Sequence, residues 1–125
     1  MAFHERRVSW VREADALLVN GGDALYLCHW MRESGLAGLF PSLHDTVYVG
    51  LSAGSMVLTP RVGEHFVDRT PPAGDDGMLG VVDFSLFPHL DSPDCPEHTM
   101  AEAERWAAGV EVVSEGHWKL FNPVS

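Results

Sequence analysis

The chain has 125 residues, the length of one domain, and 46% of them are hydrophobic, enough for a core. Its formal net charge of −10 excludes the basic surface that binds nucleic acid or anionic membranes. It has no apolar run of the roughly 18 residues that a membrane span needs and no secretory signal, so we expect a cytoplasmic protein. The two cysteines, Cys28 and Cys95, have no spacing typical of a metal site, and no cofactor motif is present. We therefore predict a single domain over residues 1–125 with reduced thiols, no metal and no cofactor.

The first half of the chain alternates between predicted strands and helices. Residues 16–19 form a short apolar strand that ends in the turn "NGGD". From residue 24 the apolar residues recur at helical spacing, with Asp23 as the N-cap and Gly35 as the C-terminal stop. Residues 46–51 are a second strand, too continuously apolar to be half exposed, and residues 53–58 begin a helix that Pro60 limits.

The second half opens with residues 61–80, whose Gly, Pro and Asp content predicts a loop that could cover a site. Residues 81–88 are predicted as a third strand. A helix then begins at Pro96 and ends at Gly109, and residues 110–113 and 118–121 are a fourth and a fifth strand. This alternation predicts an α/β fold with a mostly parallel sheet and helices on its faces.

Three segments with chemical potential follow predicted strands. They are the glycine turn at Gly21 and Gly22, the serine Ser52, and the histidine His89. Ligands of parallel sheets bind at the carboxyl ends of the strands, so we expect these segments to share one edge of the sheet.

Ser52 lies in the string "GLSAG", between a strand and a helix. A sharp turn there lifts the serine hydroxyl above the sheet and aims the N–H of Ala53 at a developing oxyanion. The crowded backbone requires positions without side chains, which Gly50 and Gly54 provide. The alternative is that the two glycines only allow close helix–sheet packing and that Ser52 caps the helix.

His89 is the candidate general base, because histidine titrates near neutral pH and this one ends the strand after the nucleophile strand. Gly21 and Gly22 are candidates for a second oxyanion donor, although they could form a simple turn. We predict that five other histidines lie on the surface: His4, His29, His44, His65 and His98.

Four blocks of the sequence carry a resemblance to a known family: "LLVNGGDALYL", "VYVGLSAGSMVL", "LGVVDFSLFPHLDSP" and "VEVVSEGHWKLF". They resemble successive blocks of the dipeptidase E and cyanophycinase family of serine peptidases, which have a class I glutamine-amidotransferase-like fold. The resemblance implies Ser52 as nucleophile and His89 as general base. It also implies an oxyanion hole made by Gly21 or Gly22 together with Ala53.

Two departures indicate a form that is truncated relative to that family. Family members have further strands and helices before the glycine turn, and they have an acidic strand between the last helix and the "VEVVSEG" block. Here "RWAAG" runs directly into that block. The carboxylate that orients the imidazole must then be another residue. The candidates are Asp68, Asp91 and Glu115, of which we favour Glu115.

The combined prediction is a serine-type hydrolase that cleaves small peptides such as dipeptides through an acyl-enzyme. The alternative is a catalytically weak or inactive relative that acts as a binding or assembly module. A shortened sheet exposes an edge and an apolar face, so we expect a homodimer. The predicted interface residues are Phe3, Val8, Trp10 and Val11.

Overall fold

A computed structural model describes residues 3–63, 66 and 76–110, apart from the side chains of Phe3 and His4. The strands are β1 (Ala16–Val19) and β2 (Val47–Gly50). The helices are α1 (Phe3–Glu13), α2 (Ala24–Glu33), α3 (Leu36–Leu39), α4 (Ala53–Met56) and α5 (Met100–Gly109), and a 3-10 turn covers Phe40–Ser42. Among these helices, none is both long and apolar enough to cross a bilayer.

The two strands form a parallel pair, and α2 lies in the connection between them. Ala16 is opposite Val47, and Val19 is opposite Gly50. A parallel pair requires such a crossover, because a tight hairpin can join only antiparallel strands. The predicted α/β class with a parallel sheet is therefore confirmed.

Helix α2 begins and ends where its sequence signals predict. The Asp23 carboxylate accepts a hydrogen bond from the Tyr26 N–H at 3.1 Å, which satisfies one of the free amides of the first turn. Helix α2 ends before Gly35, whose positive φ of 83° is a backbone conformation that glycine adopts without strain.

The core lies on one side of the sheet, between α2 and the segment that follows β2. Its buried members are apolar and come from four stretches of chain: Ala24, Cys28, Met31, Ala53, Met56, Val57, Val62 and Met78. Arg32 joins two of these stretches, because its guanidinium donates a hydrogen bond to the carbonyl oxygen of Met78 at 2.9 Å. This core holds the end of β2, and with it the candidate nucleophile, against α2.

The other face of the sheet is bare in the part of the chain that the structure describes. Leu18 is 79% exposed, Val47 is 61% exposed and Val49 is 49% exposed. We predicted strands buried on both faces, because their sequences are apolar without alternation. That prediction was wrong for one face: the strands are apolar on both sides, but the described helices cover only the inner one.

Residues 81–88 are not a strand, which corrects the sequence prediction. The N–H groups of Val81 and Val82 both donate to the carbonyl oxygen of Leu58, at 2.8 and 3.0 Å. The Leu79 N–H donates to the Val57 oxygen at 3.0 Å. The β-branched residues favour a strand, but this backbone bonds to the turn after α4 and has no neighbouring strand to join among the described residues.

Two helices also differ from prediction, one in its presence and one in its first residue. Helix α1 carries no strong apolar periodicity in its sequence, and we did not predict it. Helix α5 begins at Met100 rather than Pro96, because Thr99 is its N-cap and accepts a hydrogen bond from the Glu102 N–H at 3.2 Å. This Thr-x-x-Glu spacing was a readable start signal. The predicted strands at 110–113, except Val110, and at 118–121 lie outside the described residues.

Candidate active site

Ser52 lies in the turn between β2 and α4. Its backbone has φ 54° and ψ −115°, a region that non-glycine residues rarely occupy and that typically costs about 1–3 kcal/mol. Its side chain makes no capping hydrogen bond to α4. Ser52 therefore occupies the N-cap position without a capping bond from its side chain, and its strained backbone is the geometry expected of a strand-to-helix turn that displays a nucleophile.

The two flanking glycines are required by close packing. A Cβ at Gly54 would lie 2.1 Å from the carbonyl oxygen of Val19, and a Cβ at Gly50 would lie 2.6 Å from the oxygen of Gly54. The Tyr48 hydroxyl donates to that same Gly54 oxygen at 2.5 Å, and burial raises the pKa of Tyr48 to about 12. The packing role that we considered for the glycines is thus present, and the same packing fixes the turn.

The glycine turn after β1 lies beside Ser52. A Cβ at Gly21 would be 3.3 Å from the Ser52 Cβ and 3.8 Å from its Oγ. The Gly21 N–H donates to the Asn20 side-chain oxygen at 3.1 Å. In the part of the chain that the structure describes, the N–H groups of Gly22 and Ala53 have no hydrogen-bond partner. Ala53 thus leaves an amide available at the Ser52 turn, and Gly22 leaves one in the neighbouring glycine turn.

His89 occupies an exposed loop position after the bend at residues 81–84. Its φ of 55° lies in the left-handed region, and the Ser92 N–H donates to its carbonyl oxygen at 3.1 Å. Its ring lies 6.2 Å from the ring of His98. No hydrogen bond joins His89 to Ser52 among the described residues, and catalytic hydrogen bonds often tighten only when substrate is bound.

A cluster of four rings, here called the aromatic cluster, supports the loop that carries His89. Its members are Phe66, Phe87, His98 and Trp106, with ring centroids 5.1–6.1 Å apart in the pairs that touch. The Trp106 indole N–H donates to the Val62 carbonyl oxygen at 2.7 Å. The cluster thereby ties α5 and the stretch before His89 to the core.

His98 corrects one prediction from the sequence. We placed it on the surface, but it is only 8% exposed. Its Nδ1 lies 2.7 Å from the Pro88 carbonyl oxygen, next to His89 in the chain. His29 and His44 are exposed as predicted, and the side chains of His4 and His65 lie outside the described residues.

Of the three candidate acids, only Asp91 lies within the described residues. It is exposed, and its N–H donates to the His98 carbonyl oxygen at 2.8 Å. Its carboxylate makes no hydrogen bond to His89 in this part of the chain. Asp68 and Glu115 lie outside the described residues.

Asp76 has a structural role that the sequence analysis missed. Its buried carboxylate accepts hydrogen bonds from Arg61 Nε at 3.0 Å and from the Gly63 N–H at 2.9 Å. An isolated antiparallel bridge joins Arg61 to Gly77. These contacts close the base of the loop predicted over residues 61–80.

Comparison with known proteins identifies the family. Residues 2–118 match the model of peptidase family S51. The chain is 30% identical to "Peptidase E" of Shewanella sp. (strain MR-4) over 92 residues, which are 70% of this chain and 38% of that protein. It is also 30% identical to "Peptidase E" of Nostoc sp. (strain PCC 7120) over 91 residues, with similar coverage. The chain thus spans about two fifths of the length of the curated relatives it matches.

A solved structure shows the same fold. The 1.5 Å crystal structure of a Listeria monocytogenes EGD-e protein, provisionally named Peptidase E, superposes with a TM-score of 0.64 at 22% sequence identity. The match covers 84% of this chain and 55% of that one, which agrees with a shortened form of the fold. The family match over residues 2–118 includes every candidate site residue. The chain belongs to peptidase family S51.

Proposed function

We propose that this chain is a serine-type peptidase that cleaves small peptides through an acyl-enzyme on Ser52. The observation that carries the proposal is the Ser52 turn: a strained backbone, no capping bond, and two glycines that packing requires. A serine that only caps a helix needs none of this strain. Membership of family S51, and the name "Peptidase E" of the relatives, support the same reaction class.

In the proposed reaction, the Ser52 Oγ attacks the peptide carbonyl carbon while His89 takes the hydroxyl proton. The oxyanion is held by the N–H of Ala53 and by an N–H of the glycine turn at Gly21 and Gly22. His89 then gives the proton to the leaving amine as the C–N bond breaks. A water molecule, deprotonated in turn by His89, hydrolyses the ester.

Of the two glycine amides, we propose Gly22 as the oxyanion donor. The Gly21 N–H already donates to the Asn20 side chain, whereas Gly22 has no competing acceptor among the described residues. The positive φ of 129° at Gly22 explains why glycine is needed there.

We propose Glu115 as the carboxylate that orients His89, with Asp68 and Asp91 as alternatives. Asp91 is supported least, because it is exposed and makes no hydrogen bond to the His89 ring in the described part of the chain. A carboxylate on the far imidazole nitrogen holds the required tautomer and stabilises the imidazolium.

A second candidate function follows from the bare face of the sheet. The exposed side chains of Leu18, Val47 and Val49 form an apolar surface that soluble proteins usually cover. We propose that a second copy of the chain covers it in a homodimer. A catalytically weak relative that serves as an assembly module would use the same surface.

The decisive experiment compares the purified chain with its Ser52→Ala variant on a library of small peptides and with a fluorophosphonate probe. The proposal predicts hydrolysis and covalent labelling of Ser52 in the parent and neither in the variant. A folded parent chain that neither hydrolyses peptides nor reacts with the probe supports the assembly module instead. Light scattering at micromolar concentration then separates a dimer from a monomer.

A further inference from the structure

Cys95, Glu97 and His98 bring three different metal-binding groups together in a short turn. One ligand atom from each residue lies within 4.8 Å of the other two. The His98 N–H donates to the Cys95 carbonyl oxygen at 2.9 Å, which closes a four-residue turn with Pro96 at its second position. Proline presets the backbone for that position, so the turn itself brings Cys95 and His98 together.

The His98 ring is fixed in the orientation that a metal ligand needs. Its side chain is only 10% exposed, and its Nδ1 lies 2.7 Å from the Pro88 carbonyl oxygen. A carbonyl oxygen can only accept, so Nδ1 carries the proton and the lone pair of the neutral ring is on Nε2. Nε2 lies 3.8 Å from a carboxylate oxygen of Glu97. Metal-binding histidines commonly donate their other ring nitrogen to a backbone carbonyl in this way.

We propose that Cys95 Sγ, a Glu97 carboxylate oxygen and His98 Nε2 bind one divalent transition-metal ion, with Zn²⁺ as the best match. Zinc accepts thiolate, imidazole and carboxylate ligands, whereas Mg²⁺ and Ca²⁺ prefer oxygen alone. Tetrahedral zinc bonds of the usual lengths place neighbouring ligand atoms about 3.5 Å apart. The Glu97 side chain is 62% exposed, so it can move the short distance required.

The charges also suit a divalent cation. Ionised Cys95 and Glu97 together balance the two positive charges of the metal, which lowers the cost of holding it against a buried imidazole. The chain as a whole has a net charge of −10 and attracts cations. Three protein ligands leave a fourth position for water or another small ligand.

The competing explanation is an ion pair between Glu97 and a protonated His98, in which Cys95 has no part. The two explanations differ in their dependence on the thiol. Zinc binding uses the Cys95 sulfur as a ligand, so replacing that sulfur weakens it. A Glu97–His98 ion pair does not involve the sulfur, so the same replacement leaves the pair in place.

The test is a titration of the reduced, metal-free full chain with Zn²⁺ against a chromophoric chelator, and with Co²⁺ followed by visible absorption. We expect one ion per chain and a thiolate-to-cobalt absorption band. Cys95→Ser should remove that band and weaken zinc binding by more than the roughly 10–100-fold that loss of an outer partner costs. Glu97→Gln should weaken it without removing the band.

The matched controls are Cys28→Ala and His29→Gln. Cys28 lies in the core, where burial raises the pKa of its thiol, and His29 is exposed on α2, so both variants should bind zinc like the parent. His98→Gln replaces a buried ring and can therefore disturb the fold. The test relies instead on the variants of Cys95 and Glu97, whose side chains are not buried. Binding that Cys95→Ser leaves unchanged, or no one-to-one binding at all, overturns the proposal.

Discussion

Ser52 and His89 both have left-handed φ values, of 54° and 55°, but they are held in different ways. Ser52 is held by backbone packing: its flanking glycines lie so close to the carbonyl oxygens of Val19 and Gly54 that neither has room for a Cβ. His89 is exposed, and ring packing in the aromatic cluster supports its loop, which pairs with no strand within residues 3–63, 66 and 76–110. The nucleophile turn is therefore held by backbone contacts with the end of β1, whereas the base depends on side-chain contacts with distant parts of the chain.

This difference predicts how the two halves of the site respond to change. Substitutions near Ser52 act through steric overlap and should damage folding and activity together. Substitutions around His89 act through side-chain packing, so they should lower activity before they unfold the chain. The five predictions below test this contrast, from the largest expected effect to the smallest.

The largest effect is expected from Ser52→Ala. It should lower peptide hydrolysis by several orders of magnitude, because it removes the attacking oxygen and members of a catalytic unit do not contribute additively. Stability should change little, since the side chain makes no capping hydrogen bond. Hydrolysis rates and urea unfolding measure both. His89→Ala should match it in activity, and a variant of either residue with near-normal hydrolysis contradicts a shared site.

Glu115→Gln should lower turnover by orders of magnitude with little change in stability. The amide keeps the shape but cannot stabilise the imidazolium, and it can select the wrong tautomer. Asp68→Asn and Asp91→Asn are the matched comparisons and should matter much less. An essential Asp68 together with a dispensable Glu115 would place the acid in the loop after the nucleophile instead.

Gly54→Ala should destabilise the fold by more than the typical 1–3 kcal/mol or so of an overpacked core, because its Cβ would overlap the Val19 oxygen. Gly38→Ala is the control: its Cβ would meet nothing within 4 Å in helix α3, where alanine gains up to about 1 kcal/mol over glycine. Thermal and urea unfolding compare them. Equal stabilities for the two variants would show that the Ser52 turn is not held by backbone contact.

Trp106→Phe should cost about 1–3 kcal/mol, because it leaves the carbonyl oxygen of buried Val62 without its hydrogen bond. It should also lower hydrolysis by loosening the support of His89. Trp30→Phe, at a half-exposed position on α2, should stay within about 0.5 kcal/mol of the parent and keep its activity. If Trp106→Phe unfolds more easily but hydrolyses peptides at the normal rate, the aromatic cluster does not support His89 in catalysis.

The smallest effect concerns Tyr48 at high pH. Burial raises its pKa from 10 to about 12, so the folded chain holds the phenol proton more tightly than the unfolded chain does. This contribution to stability is complete below pH 10 and is lost as pH rises through about 12. Unfolding in urea across that range should show a decline that Tyr48→Phe reduces and that Tyr26→Phe, an exposed position, preserves. No difference between these variants would mean that burial does not raise the pKa of Tyr48.

The sequence predicted what local signals determine. Strand β1, helix α2 and strand β2 follow from apolar runs, an Asp cap and a glycine stop, and the Ser52 turn follows from "GLSAG". The predictions that were wrong concern residues whose structure depends on contacts with distant parts of the chain. The Leu58 carbonyl oxygen accepts hydrogen bonds from the N–H groups of Val81 and Val82, so this apolar run does not form a strand. Packing against aromatic rings buries His98. No pattern in the sequence gives either contact.

The bare sheet face also has a thermal consequence. Water around exposed Leu18, Val47 and Val49 contributes an excess heat capacity, which is lost when the face is covered. Covering it therefore carries a negative heat-capacity change, whatever the enthalpy at one temperature. Because apolar association weakens on cooling, an assembly through this face should dissociate more readily toward 0 °C. Most contacts made by hydrogen bonds do not weaken in this way.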